Sequence, residues 1–329
     1  MKGSRLKDQK GINDEWRLSR GLHWFAIAVA CFTVVLLIIG ALVTSNEAGD
    51  SVPDWPLSFG RWLIDSDYFV ANVRYEYSHR FVAGVVGVLT FALALIALFV
   101  EKRSWVRRLA WAAFAGVVAQ AMIGGVRVLL GESSKPFIAV PHALVAQSFF
   151  ATLVGIAVFT SQSWMARREI RSERHSPRLR SLSAVAVASV LIQLVLGAGF
   201  RHGAFGIMPH IIGAITVTVL VIWTAVTVLR RHGEDSFLAR PAVGALILLV
   251  IQLGLGVSAY LARAAAHGNP QPLEPMITLT VAHVVVGALT LAQILVLTLR
   301  CYRALAPQGE RAEGIAEATA LSSTRKATV

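Results

Sequence analysis

Eight runs of mostly apolar residues, at about 22–44, 77–100, 108–130, 138–161, 182–200, 209–229, 241–262 and 277–299, constrain this chain more than any other feature. A helix needs roughly 20 such residues to cross the hydrocarbon of a bilayer. Only helices and closed barrels satisfy every backbone polar group there, and the period-two alternation of a barrel strand is absent. Composition agrees: 15% of residues are charged, against about a quarter in a soluble domain, and the mean hydropathy is +0.62. The expected fold is an all-α integral membrane protein with eight transmembrane helices.

The net charge of +12 raises the question of nucleic acid, and its placement answers it. With the N-terminus inside, the inner segments are residues 1–21, 101–107, 163–181, 230–240 and 300–329. All but seven of the 31 Lys and Arg lie in these segments or at their edges. Arg61, Arg74, Arg127, Lys135, Arg201 and Arg263 fall in the outer loops or beside them, and Arg80 lies just inside the second span. That asymmetry is the positive-inside rule, so the basic balance reads as topology with both termini cytoplasmic and no nucleic-acid partner. The first apolar run follows about 20 polar residues and is longer than a signal-peptide core, so it reads as a span. Cys31 and Cys301, the only two cysteines, sit in the first span and at the inner end of the last, where a disulfide is not expected.

The halves resemble each other. A charged linker, 163–181, separates a first four-helix bundle (22–162) from a second (182–299), with a cytoplasmic N-terminal segment (1–21) and a polar tail (300–329) expected to be disordered. The odd spans end in Gly40, Gly124, Gly197 and Gly256. Three of these follow a glutamine by four residues: Gln120, Gln193 and Gln252. Helix packing accounts for that pattern, since small residues let helices approach and a buried Gln bonds across the interface. Room for a flat macrocycle is the alternative. The first outer loop, 45–75, is long enough to be functional and contains Val52-Pro-Asp-Trp-Pro-Leu57, an ordered turn by composition.

Each even span carries a histidine within its first two turns: His79, His142, His210 and His283. The other five, His23, His175, His202, His232 and His267, lie at helix ends or in loops and read as interfacial residues. Strongly polar groups inside a span are rare and mark function by default, and four at one depth are a stronger signal than any alone. Imidazole serves Zn, Cu, Fe and Ni, so a single tetrahedral four-histidine site is one option. Two histidines per half on facing helices suit axial ligation of haem iron instead. The pairs are then His79 with His142 and His210 with His283, near the outer surface.

Glu76 breaks the symmetry between the pairs. It stands one turn before His79 on the same helix face, where the other spans place Ala139, Ile207 and Thr280. Two roles are open: a proton donor or acceptor beside the ligand, or an ion pair with Arg80 or Arg74 and support for His79. Arg80 and Arg127 have the geometry to pair with haem propionates.

The sequence resembles the haem A synthase family over roughly residues 20–300. The resemblance rests on Glu76-Tyr-Ser-His-Arg80, the run Pro53–Leu57, the stretch Gly40–Thr44 and the four even-span histidines. It implies oxidation of a methyl group of haem O to the formyl group of haem A by successive hydroxylations. It further implies that His79 and His142 hold the substrate haem with Glu76 taking part in catalysis, and that His210 and His283 hold a haem b that relays electrons. A haem O synthase and cytochrome oxidase assembly factors are the partners it suggests; membrane lipid and a second copy of the chain are further expected partners, and the positive-inside topology points to a bacterial inner membrane. One departure stands out: Val52 and Ser58 replace the cysteine pair that many bacterial members carry around this run, and 201–208 has no cysteine. A thiol route for electrons is therefore not expected. The competing reading is a di-haem b-type membrane cytochrome that transfers electrons and leaves its cofactors unmodified. A transporter, suggested by the repeat alone, lacks the broken helices such sites need.

Overall fold

The structure is a computed structural model that describes residues 2–131, 135–167, 170–173, 176–266 and 273–307. Among them, eight helices are long and apolar enough to span a membrane. They are α1 (Lys2–Ser45), α2 (Val73–Val100), α3 (Ser104–Leu130), α4 (Lys135–Phe159), α6 (Leu179–Arg201), α7 (Ile207–His232), α8 (Ser236–Ala265) and α9 (Glu274–Ala304). A short α5 (Gln162–Ala166), a single 3-10 turn (Ser66–Tyr68) and two three-residue strands, β1 (Arg171–Glu173) and β2 (Leu305–Pro307), complete the set among the described residues. His175, His267 and the tail from 308 onward fall outside the described residues.

The fold is an all-α membrane protein, as expected. α1–α4 pack in a closed ring, α1 on α2, α2 on α3, α3 on α4 and α4 back on α1, and α6–α9 do the same. The rings meet where α1 and α4 lie against α9, and α4 against α6. Burial explains the close approach. Ala26, Ala97, Ala110, Ala186, Ala225, Ala242 and Ala245 are wholly buried, whereas Phe99 and Phe137 are 83% exposed and face outward. Lipid is as apolar as leucine, so small residues that let backbones touch supply the packing.

The even number of spans puts the start of α1 and the end of α9 on one face, here the terminal face. Polar contacts knit that face together. Arg103 pairs with Glu101 at 2.7 Å and donates to the Phe159 carbonyl. Asp235 caps α8 through the Phe237 amide and pairs with Arg167. The linker is more ordered than a charged spacer: β1 pairs in parallel with β2, which follows α9 directly, so 300–307 continues helix and strand past the 299 boundary read from hydropathy. The N-terminal segment likewise belongs to α1 from Lys2. On the opposite, histidine face, Gly131 and Gly203 adopt positive φ where α3 and α6 end, a conformation glycine takes at no steric cost.

Candidate functional site

The four histidines stand near the histidine-face ends of α2, α4, α7 and α9, and each imidazole lies directly against a glycine of the preceding span. A methyl group on Gly40 would stand 3.0 Å from Nε2 of His79. On Gly124, Gly197 and Gly256 it would stand 3.2, 2.8 and 2.9 Å from Cε1 of His142, His210 and His283. The glycines in the sequence pattern therefore clear space for the histidines themselves. They are imidazole seats, a reading intermediate between bare packing and room for a macrocycle.

The glutamines act on the same groups. Gln120 donates to the carbonyl of His142 at 2.9 Å. Gln193 donates to the carbonyl of His210 at 2.9 Å and lies 3.0 Å from its Nδ1. Gln252 reaches within 3.5 Å of Nε2 of His283. In the second bundle the fit is reciprocal, because Gly213 and Gly287 on the histidine-bearing helices receive the side chains of Gln193 and Gln252. α1 carries Leu36 where the other odd spans carry Gln, so His79 has the glycine seat without the amide.

His210 and His283 face each other with ring centroids 6.3 Å apart and planes at 85°. One bound group could be held between the two rings, with His210 and His283 as its ligands. Nδ1 of His142 and of His283 are buried without a hydrogen-bond partner among the described residues. That is unusual in a bundle interior and fits side chains whose ring nitrogens serve a bound group. No three His, Cys, Asp or Glu side chains converge among the described residues, so the single four-histidine site is not formed there. These residues fit haem.

Around His79 the structure adds a clamp. Glu76 is 4% exposed. Its Oε1 accepts from Arg80 at 2.6 Å, and its Oε2 accepts from the Ser51 hydroxyl and the Val52 amide, each at 3.0 Å. Arg80 donates in turn to the carbonyls of Val52, Asp54 and Leu57 at 3.1, 2.6 and 2.9 Å. Of the two roles open for Glu76, the geometry displays the ion pair with Arg80, and Arg80 directs its donors to the loop. Arg127 likewise donates to the Gly49 carbonyl at 2.7 Å and approaches Asp50 at 3.5 Å. The turn itself is held by Asp54, whose carboxylate accepts from the Phe59 and Gly60 amides at 2.7 Å each. Burial pushes the Asp54 carboxyl upward, but those amides and the Arg80 charge hold it below the ordinary carboxylate range.

Sequence reasoning missed two contacts. Trp55 lies over Gly125, so the loop is seated on α3 next to the glycine that receives His142. The signal was there in the doubled Gly124-Gly125, one glycine for the histidine and one for the tryptophan. Arg201, counted only as an outer-edge charge, donates to the Ala41 carbonyl at 3.0 Å and the Ser45 hydroxyl at 2.7 Å, tying the second bundle to the first. Cys31 is exposed and Cys301 is buried, both as free thiols.

Two four-helix rings with glycine-seated histidines at one face define a polytopic, all-helical membrane protein. The family model for cytochrome oxidase assembly proteins matches residues 22–209, a stretch that includes Glu76, His79 and His142. A haem A synthase from Symbiobacterium thermophilum is 30% identical over 271 residues, covering 70% of this chain and 83% of the relative. Others from an Exiguobacterium species and from Bradyrhizobium diazoefficiens are 27% and 26% identical, the former over 73% of this chain and 83% of the relative, the latter over 62% and 64%. The chain belongs to the haem A synthase family.

Proposed function

We propose that this chain oxidises a methyl substituent of haem O to the formyl group of haem A by successive hydroxylations, at the His79/His142 pair, with a haem b between His210 and His283 relaying electrons. The observation that carries the assignment is the inequality of two otherwise matched pairs. Both have glycine seats, but among the described residues only His79/His142 lies beside a long loop fastened by Glu76, Arg80 and Trp55. The second pair instead has the reciprocal Gln/Gly fit and a preset ring separation, which suits a resident cofactor held in one geometry.

Bound haem supplies the iron redox chemistry, tuned by its axial ligands and their surroundings. The residues of this chain supply position and cover. Gly40 and Gly124 let the two imidazoles reach the substrate from α2 and α4. Gln120 and Gln193, through the His142 and His210 carbonyls, hold the histidine-bearing helices in register with their neighbours. Glu76 accepts the Val52 amide and neutralises Arg80 in the low-dielectric interior, so the loop closes over the site and limits water. Glu76 is a positioning residue in this account. The positive-inside asymmetry supports a topology with the terminal face in the cytoplasm and the haem sites toward the outer face of a bacterial inner membrane.

The test is co-expression with a source of haem O, followed by extraction and chromatography with mass spectrometry. Haem A must accumulate in proportion to the protein. A well-folded protein that carries haem and never yields haem A refutes the enzyme and favours the di-haem cytochrome, a reading that the shared glycine seats of all four histidines also support.

A further inference from the structure

A groove of about 370 Å³ opens between the two bundles on the terminal half of the molecule, walled by α1, α4 and α9. Its lining is graded. Val34, Phe150 and Leu289 mark its deep end. Eleven residues away along the chain toward the terminal face, His23, Ser161 and Arg300 form its rim. At 1.5 Å per residue that is about 17 Å, close to half of the roughly 30 Å hydrocarbon thickness. The groove thus has the depth of one leaflet, an apolar interior and a polar mouth.

Arg300 is the anomaly at that mouth. Pro241 lacks the amide that would serve the Phe237 carbonyl inside α8, and Arg300 donates to that carbonyl at 3.0 Å with its guanidinium 4.8 Å from the Phe237 ring centre. Its Nε is buried without a partner. None of the ion pairs among the described residues includes Arg300, and Arg240 adds positive charge nearby. A charge inside a span is costly unless something answers it.

We propose that the groove holds an anionic phospholipid from the leaflet on the terminal face, one acyl chain lying toward Val34 and Leu289 and the phosphate pairing with Arg300 beside Ser161 and His23. Guanidinium and phosphate match in geometry and charge, and basic pockets between spans on the cytoplasmic side take anionic headgroups. Because α1 and α4 come from one bundle and α9 from the other, the lipid bridges the halves. An isoprenoid tail fits the apolar wall but leaves Arg300 unanswered.

The full chain, purified and delipidated in detergent, is titrated with phosphatidylglycerol, phosphatidylcholine or inorganic phosphate and followed by native mass spectrometry and thermal unfolding. Phosphatidylglycerol is expected to remain at one molecule per chain, to raise the melting temperature and to bind at least about tenfold more tightly than phosphatidylcholine, with phosphate alone inert. Arg300→Gln erases that preference. Cys31→Trp, at an exposed position on the groove wall, weakens both lipids and keeps the proposal testable if Arg300→Gln does not fold. Equal binding of the two lipids, a preference that survives Arg300→Gln, stabilisation by phosphate alone, or displacement of phosphatidylglycerol by farnesol overturns it.

Discussion

Gly256→Ala is the sharpest test of the imidazole seat, because Gly254 supplies a control two residues away on the same helix. A methyl group at 256 would meet Cε1 of His283 at 2.9 Å and Nδ1 at 3.3 Å, whereas one at 254 meets nothing within 4 Å. Carbon atoms at rest sit about 3.5–4.0 Å apart, so the ring must retreat by roughly half an ångström or more, and overpacking of this kind costs about 1–3 kcal/mol. Alanine also favours the helix over glycine by about 1 kcal/mol. The two terms oppose each other in folding but not in the geometry of the site. Gly256→Ala should therefore melt near the parent while its haem affinity at His210/His283 falls roughly 5- to 150-fold. Gly254→Ala should leave that affinity unchanged. Optical titration of the apoprotein with haem reads both. Equal affinity in the two variants refutes the seat.

Three further outcomes follow from the same contacts. Glu76→Gln removes the ion pair with Arg80 but keeps one acceptor, so haem content should hold while hydrogen exchange of 51–57 rises and conversion of haem O drops; full conversion would leave Glu76 a purely structural part. The Asp54 carboxyl lies below its ordinary value of 3.8, so its contribution to the turn is complete above about pH 4 and lost as pH falls through the lower folded value; proteolysis of the 52–61 turn should be flat from neutrality to about pH 4 and rise below it, and a turn that loosens already near pH 6 contradicts this. Arg201→Ala should lower thermal stability by about 1–3 kcal/mol through loss of its bonds to Ala41 and Ser45, with partial recovery in Arg201→Lys; an unchanged melting temperature means that the bundles are held by other contacts.

The spans were legible because lipid leaves so few solutions for the backbone, and the four histidines because polar groups at one depth stand out against apolar helices. The repeat is what proposes their pairing by halves. What the sequence could not reveal was direction. Gly124 and Gly125 look alike as letters, yet one faces His142 and the other Trp55, on faces that only the packed helices define. Glu76 carried two open roles for the same reason: its partners Ser51 and Val52 lie 25 and 24 positions away in a loop whose path depends on Arg80. Arg300 and Arg303 read as the start of a polar tail at 300, yet α9 continues to Ala304, because Cys301 between them and Ala304 after them are fully buried.

The central claim is that the two histidine pairs hold different haems, and the most direct measurement is the haem composition of single His→Ala variants made in cells that supply haem O. Under this account His210→Ala and His283→Ala lose the low-spin haem b signal and still bind haem O. His79→Ala and His142→Ala keep haem b and yield no haem A. If all four substitutions remove the same haem, or haem A accumulates undiminished in His79→Ala, the division of labour between the pairs is wrong.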